Sequence, residues 1–351
     1  MSLKQNLEEL RQKIEGIGNA RNVLHKSVNW NVKEDDFTQT FWEQNISQFW
    51  TDTEFTPTKD SRVWKSLPLE YREVYKKVLG GLTLLDTQQG NIGMPCIAQH
   101  VEGHQRKAVM SFMGTMEEIH AKSYSTIFTT LLNGLETDEV HEWVEENQFL
   151  QYKANIIVNY YENIVDDYTL YMAMVASVFL ESFLFYSGFF FPLYLAGGGG
   201  TEDGKGRMVA SGEIINLILR DESIHGVYIG RLAQELFQKL SVEEQENAVN
   251  EVNVLLSVLT ANEFKYTEDL YAPINLDHEV KDFLYYNANK AMQNLALQPM
   301  FPEKRINPIV LNGLSTTTKT HDFFSTKGNG YIKAVNVKPI TDDDFVFDRL
   351  K

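Results

Sequence analysis

The pattern Glu-x-x-His occurs twice in this chain, as Glu117-Glu118-Ile119-His120 and as Glu222-Ser223-Ile224-His225. Residues three apart on a helix project from one face, so each pair presents a carboxylate beside an imidazole. One such pair is a weak signal, because the spacing is common on solvated helix surfaces. Here the neighbouring inward positions are apolar: Met113, Met116 and Ile119 around the first pair, Ile215, Ile218 and Leu219 around the second. Two further acids stand where an apolar pattern should exclude them. Asp86 follows Gly81-Leu82-Thr83-Leu84-Leu85, and Glu181 follows Val175-Ala176-Ser177-Val178-Phe179-Leu180.

Burying four carboxylates costs several kcal/mol each unless they are protonated, paired or coordinated, and few bases stand nearby in sequence. Two divalent cations cancel that charge, and two neutral imidazoles complete the ligand set. One acid from each of two helices plus Glu-x-x-His from each of two others is a known ligand arrangement of di-iron and di-manganese carboxylate bundles, applied here as a rule. Oxygen-rich ligation with one histidine per ion and no thiolate suits two manganese or two iron ions per chain better than zinc. Tyr124 lies four residues after His120, one turn along the same face. A phenol there is placed to lose an electron and a proton to an oxidising centre; the ordinary alternative is a core tyrosine with a satisfied hydroxyl. Phe185 and Phe189, four and eight beyond Glu181, are candidates with Ile218 to wall that phenol off from water.

Apolar residues recur at three and four positions through 70–85, 106–132, 150–164, 169–190, 211–240 and 242–271, and period-two alternation is scarce. The expected fold is all-α, a ferritin-like helical bundle with a buried dimetal carboxylate site. No linker divides residues 28–306, which are read as one domain. Leu3, Leu7, Leu10, Ile14 and Ile17 form a short seam in an N-terminal extension, 1–27, expected to be docked or frayed and to end near Gly16 to Gly18. From about Asn307 the pattern dissolves, and 307–351 is expected to be a mobile tail.

The run from Met172 to Leu195 is long and apolar enough to suggest a membrane span, but it contains Glu181 and is expected to end at Pro192 and Gly197 to Gly200. A buried helix of a bundle is the expected reading, with no membrane partner. Gly199 to Lys205 begins like a phosphate loop, yet Gly206 stands where Ser or Thr would be needed, so a flexible interhelical loop is expected. A formal net charge of −16 argues against nucleic acid as a partner. The single cysteine, Cys96, is read as a small packing side chain, and the first thirty residues lack the layout of a signal peptide, so a cytoplasmic location is expected.

The segments Gly81 to Thr87, Met116 to Phe128, Ala176 to Gly188 and Arg220 to Gly230 resemble the four metal-helix motifs of the ribonucleotide reductase small subunit, in order, spacing and flanking residues. The resemblance runs from about Val28 to Phe347. It is greatest to class Ib, judged by the compact metal segments and by His321-Asp322-Phe323-Phe324 through Asp344-Phe345-Val346-Phe347. It implies Asp86, Glu117 and His120 on one ion and Glu181, Glu222 and His225 on the other, with Glu117 and Glu222 shared. It implies that Tyr124 is the stable radical, and that Trp50, Asp221 and His120 form a radical path continued by Tyr331. It also implies a homodimer, a large catalytic subunit on which the tail docks, and a flavodoxin-like activating protein if the metal is manganese. The extension before Val28 and the loop at Glu202-Asp203-Gly204-Lys205 are longer than the family's usual form. The rival readings are a dimetal oxidase or oxygenase acting on a bound organic ligand, which needs an open apolar channel at the site, and a ferritin-like metal store.

Overall fold

The computed structural model describes residues 3–19 and 24–310. Its α-helices are α1 (Leu3–Asn19), α2 (Asp36–Gln48), α3 (Ser61–Ser66), α4 (Leu69–Gln88), α5 (Met94–His100), α6 (His104–Leu131), α7 (Gly134–Glu146), α8 (Gln148–Glu162), α9 (Asp167–Phe179), α10 (Tyr186–Ala196), α11 (Val209–Phe237), α12 (Val242–Tyr271) and α13 (Asp277–Asn294). No strand occurs among the described residues. Several helices begin where sequence chemistry dictates. Asn133, Asp166 and Ser241 each close a capping box at the start of α7, α9 and α12, satisfying amides that have no partner inside the helix.

The centre of the bundle is α9, a π-helical turn at Leu180–Leu184, and α10. Every residue from 170 to 193 is buried, so the segment is apolar on all sides because it meets protein on all sides. The membrane-length run is therefore the core of the bundle. Pro192 does not end it: the proline lies inside α10, which continues to Ala196 and stops at the glycines. Around this centre α11 packs along α9, α4 along α6, and α12 and α13 close the remaining side. Gly226 and Gly230 make the approach to α11 possible. A Cβ at Gly226 would collide with Ser182 Oγ, and one at Gly230 with the backbone oxygen of Asn294.

Two helix starts use carboxylates from elsewhere in the chain. Glu34 accepts from the amides of His104 (2.7 Å) and Gln105 (2.9 Å) at the start of α6. Buried Asp60 accepts from the amides of Ala210 (3.2 Å) and Ser211 (2.7 Å) and from Ser211 Oγ (2.7 Å), capping α11 ahead of Glu222 and His225. Asp60→Ala leaves those donors unsatisfied at a positive helix end, and chemical denaturation should register a loss of about 1–2 kcal/mol. A stability equal to that of the unaltered chain would show that the cap is dispensable.

Helix α1 runs through Gly16 and Gly18 to Asn19, and Leu7, Leu10, Ile14 and Ile17 are all more than half exposed, so its seam is not docked on the described bundle. Residues 197–208 form the expected interhelical loop, with Gly198, Gly200 and Gly204 at positive φ and the Arg207 guanidinium donating to the carbonyls of Gly199 and Gly200.

Candidate metal centre

Four segments deliver the six candidate ligands. Asp86 comes from the last turn of α4, Glu117 and His120 from the middle of α6, Glu181 from the π turn after α9, and Glu222 and His225 from α11. All six are wholly buried. Ligand atoms of Asp86, Glu117, His120 and Glu222 lie within 4.8 Å of one another, as do those of Glu117, Glu181, Glu222 and His225. Glu117 and Glu222 belong to both groups, as carboxylates shared between two cations would.

The donor atoms are what a pair of cations needs. Both oxygens of Asp86, Glu117 and Glu222, Glu181 Oε2, and Nδ1 of both histidines have no hydrogen-bond partner although buried. His120 Nδ1 lies 2.8 Å from Glu222 Oε1, and His225 Nδ1 lies 2.8 Å from Glu117 Oε1, but neither contact is aligned as a hydrogen bond. These atoms converge on shared space instead of pairing. Burial pushes Asp86 and Glu181 well above the ordinary carboxylate range, reinforced by the neighbouring carboxylates. Both imidazoles are driven up, against the effect of burial, by Glu222 acting on His120 and Glu117 acting on His225. Carboxylates buried this deeply and this close together call for positive charge among them, and the residues fit two metal ions.

The surroundings of the two histidines differ. Asp221 Oδ2 faces His120 Nε2 at 3.3 Å and accepts from Trp50 Nε1 at 2.7 Å, and the Trp50 and His120 rings stack with centroids 5.9 Å apart. Its other oxygen accepts from Gln48 Nε2 (3.0 Å) and from Arg220 Nε and Nη2 (3.1 and 3.0 Å). Burial opposes ionisation of Asp221, but Arg220 and His120 outweigh it and hold the carboxyl below its ordinary range. An ionised Asp221 fixes the proton of His120 on Nε2 and turns the Nδ1 lone pair toward the carboxylates. His225 Nε2 has no such partner.

Tyr124 is wholly buried on α6, and its hydroxyl makes no hydrogen bond. Burial first, then the charge of Asp86, Glu222 and Glu117, push its pKa well up and keep it a neutral phenol; Asp86 is close enough to act on it without being aligned as an acceptor. Phe185, Phe189 and Ile218 are all wholly buried. Glu181 lies inside the π turn and the two phenylalanines follow it, so α-helical spacing from Glu181 does not by itself set where they point. Tyr331 lies outside the described residues. Sequence reasoning missed Gln48 and Arg220, which anchor Asp221, and also Gln89, Tyr161 and Ser177, which are hydrogen-bonded next to Glu181. Only the adjacency of Arg220 to Asp221 and the place of Gln48 two residues before Trp50 offered a hint.

The fold and this cluster define an all-α, ferritin-like carboxylate bundle built around a dimetal centre. The model of the family described as ribonucleotide reductase, small chain, matches residues 27–308, and the chain belongs to that family. It is 55% identical over 329 residues to the ribonucleoside-diphosphate reductase subunit beta of Bacillus subtilis, covering 93% of this chain and 97% of that protein. It is 53% identical to the corresponding subunit of Bacillus phage SPbeta, covering 92% and 97%. Among solved structures it is similar to the dimanganese(II)-NrdF of Streptococcus sanguinis, with a TM-score of 0.78 and 44% identity over 83% of this chain and all of that one.

Proposed function

We propose that this small chain acts as a class Ib subunit in which Tyr124 is the residue oxidised to a stable radical. Asp86, Glu117 and His120 hold one manganese or iron ion, Glu181, Glu222 and His225 hold the other, and Glu117 and Glu222 are shared. The observation that carries the reading is the convergence of these buried, unpartnered ligand atoms into two groups with two members in common, beside a phenol without a hydrogen bond. When bound, the metal pair supplies the oxidising power that removes an electron from a phenol. The chain's own part is to exclude water from Tyr124, to keep it protonated until then, and to place the Asp86 carboxylate where it acts on the departing proton. Phe185, Phe189 and Ile218 belong to the same dry core, and we assign them to the wall around the radical.

Trp50 and Asp221 continue from His120 as a hydrogen-bonded line, which we assign to radical transfer with Tyr331 as its next member. The recipient is the large catalytic subunit, which reduces ribonucleotides to deoxyribonucleotides and on which residues 307–351 dock, and the small chain works as a homodimer. The dimanganese(II) state of the Streptococcus sanguinis relative favours manganese, and with it a flavodoxin-like activating protein. The cytoplasm is the compartment that suits one unpaired cysteine and these partners.

The test is metal content together with magnetic resonance. The full chain should take up two ions, and after oxidation it should show a tyrosyl radical signal. Glu222→Ala removes a shared ligand and should abolish tight binding of both ions. His225→Ala deletes a ligand outright, so it should weaken one of them by more than the about 10–100-fold that loss of a group behind a ligand costs, and leave the helical content unchanged by circular dichroism. Two tightly held ions in Glu222→Ala would contradict the sharing.

A further inference from the structure

We propose that Gln89, held in place by Tyr161, is a positioning residue for Glu181: it commits Oε1 of that carboxylate to a hydrogen bond and leaves Oε2 for the cation on the His225 side. The proposal deepens the reading above and rests on it.

Gln89 is wholly buried three residues after Asp86, and it opens a π-helical turn, Gln89–Gly93, where α4 would otherwise have continued. Its Nε2 donates to Glu181 Oε1 and to Ser177 Oγ (2.8 Å). Its Oε1 accepts from Tyr161 Oη at 2.6 Å. This pattern fixes which way the amide faces. A carboxylate that binds metal only accepts, so it needs the amide nitrogen. The Tyr161 phenol is held protonated by burial and then by the charge of Glu181, so it donates to the amide oxygen. Rotating the amide half a turn would set oxygen against oxygen at Glu181 and remove the acceptor from Tyr161. The consequence is visible on Glu181 itself, where Oε1 is bonded and Oε2 has no partner.

The turn makes room for this chain of groups. A Cβ at Gly93 would collide with Gln89 Oε1 and meet the Tyr161 ring at 2.8 Å, and one at Gly90 would meet Glu117 Cβ at 3.0 Å. The two halves of the site are therefore held differently. On the Asp86 side the outer hydrogen bond reaches the imidazole, from Asp221 to His120, and neither oxygen of Asp86 is bonded. On the other side His225 Nε2 has no partner, and the outer hydrogen bond reaches the carboxylate instead. Gln89 does for one half what Asp221 does for the other.

The test is a titration of the full-length, metal-free protein with Mn(II), followed by the magnetic resonance of the free and bound ion, in the wild type, Q89L, Y161F and Q89L/Y161F. In Q89L one of the two ions should bind about 10–100-fold more weakly. The ion that remains should give the spectrum of His225→Ala and not that of His120→Ala. Y161F should cause a smaller loss of the same kind, and Q89L/Y161F should bind no more weakly than Q89L, because the tyrosine acts only through the amide. The thermal midpoint of each metal-free variant reports whether folding is the cause. Wild-type affinity for both ions in Q89L overturns the proposal, as does an equal loss of both accompanied by a lowered midpoint. A wild type that fails to bind two Mn(II) ions refutes instead the reading of the site on which the proposal rests.

Discussion

Tyr124→Phe is expected to leave the protein folded and loaded with two metal ions while the radical signal and nucleotide reduction with the large subunit both fall to background. The substitution removes one oxygen and nothing else. That oxygen has no hydrogen-bond partner in a wholly buried position, so its loss leaves no other group unsatisfied. An unsatisfied buried hydroxyl costs about 1–3 kcal/mol, so removing it shifts stability in the favourable direction. None of the six ligand atoms belongs to Tyr124, so metal stoichiometry should match the unaltered chain. A phenyl ring has no O–H bond from which to lose a proton together with an electron, so oxidation has no stable product at this position. Magnetic resonance after activation, metal analysis and turnover on the same sample separate the three outcomes. An undiminished radical signal in the variant would move the radical to another tyrosine; Tyr161, Tyr171 and Tyr228 are comparably buried.

The buried cluster of candidate ligands was legible in the sequence because its chemistry conflicts with its surroundings. Asp86 and Glu181 interrupt apolar runs, and the two Glu-x-x-His pairs lie on apolar faces; a carboxylate in such a place needs a reason that local pattern can expose. The helices were legible where one face is apolar, and residues 242–271 coincide with α12. Interruptions were not. Residues 169–190 read as one helix but contain the π turn at Leu180–Leu184, and nothing in the spacing of Phe179, Phe183 and Phe185 announces an extra residue when every side of the segment is buried. Pro192 looked like a stop and is carried inside α10. The groups around the ligands were hidden for another reason. Gln89 and Gln48 are ordinary polar residues whose significance depends on partners 72 to 173 positions away, and only the folded chain brings those together; Arg220 holds its neighbour Asp221 while also donating to the distant Gln48 carbonyl. The caps that Asp60 and Glu34 place on distant helices escaped notice in the same way.

Trp50→Phe should separate making the radical from using it. The indole Nε1 donates to the same Asp221 oxygen that faces His120 Nε2, so one carboxylate oxygen joins the two rings. Phenylalanine keeps an aromatic ring in the buried slot beside Phe55 but breaks that line at its outer end, leaving the metal ligands and Tyr124 as they were. The expected result is a normal radical yield with nucleotide reduction lowered about 100-fold or more, equivalent to a barrier raised by about 2.7 kcal/mol. Asp221→Asn tests the middle of the line. Each oxygen of Asp221 faces donors only: Trp50 and His120 at one, Gln48 and Arg220 at the other. An amide must turn its NH2 toward one of these pairs, so it necessarily breaks either the line to His120 or the anchor that holds it. Turnover should fall to a similar extent, with some loss of metal at the His120 side, because the histidine is no longer fixed. Wild-type turnover in Trp50→Phe at full radical yield would remove Trp50 from the path. A radical yield that falls in step with turnover would show instead that the residue serves assembly of the radical and not its export.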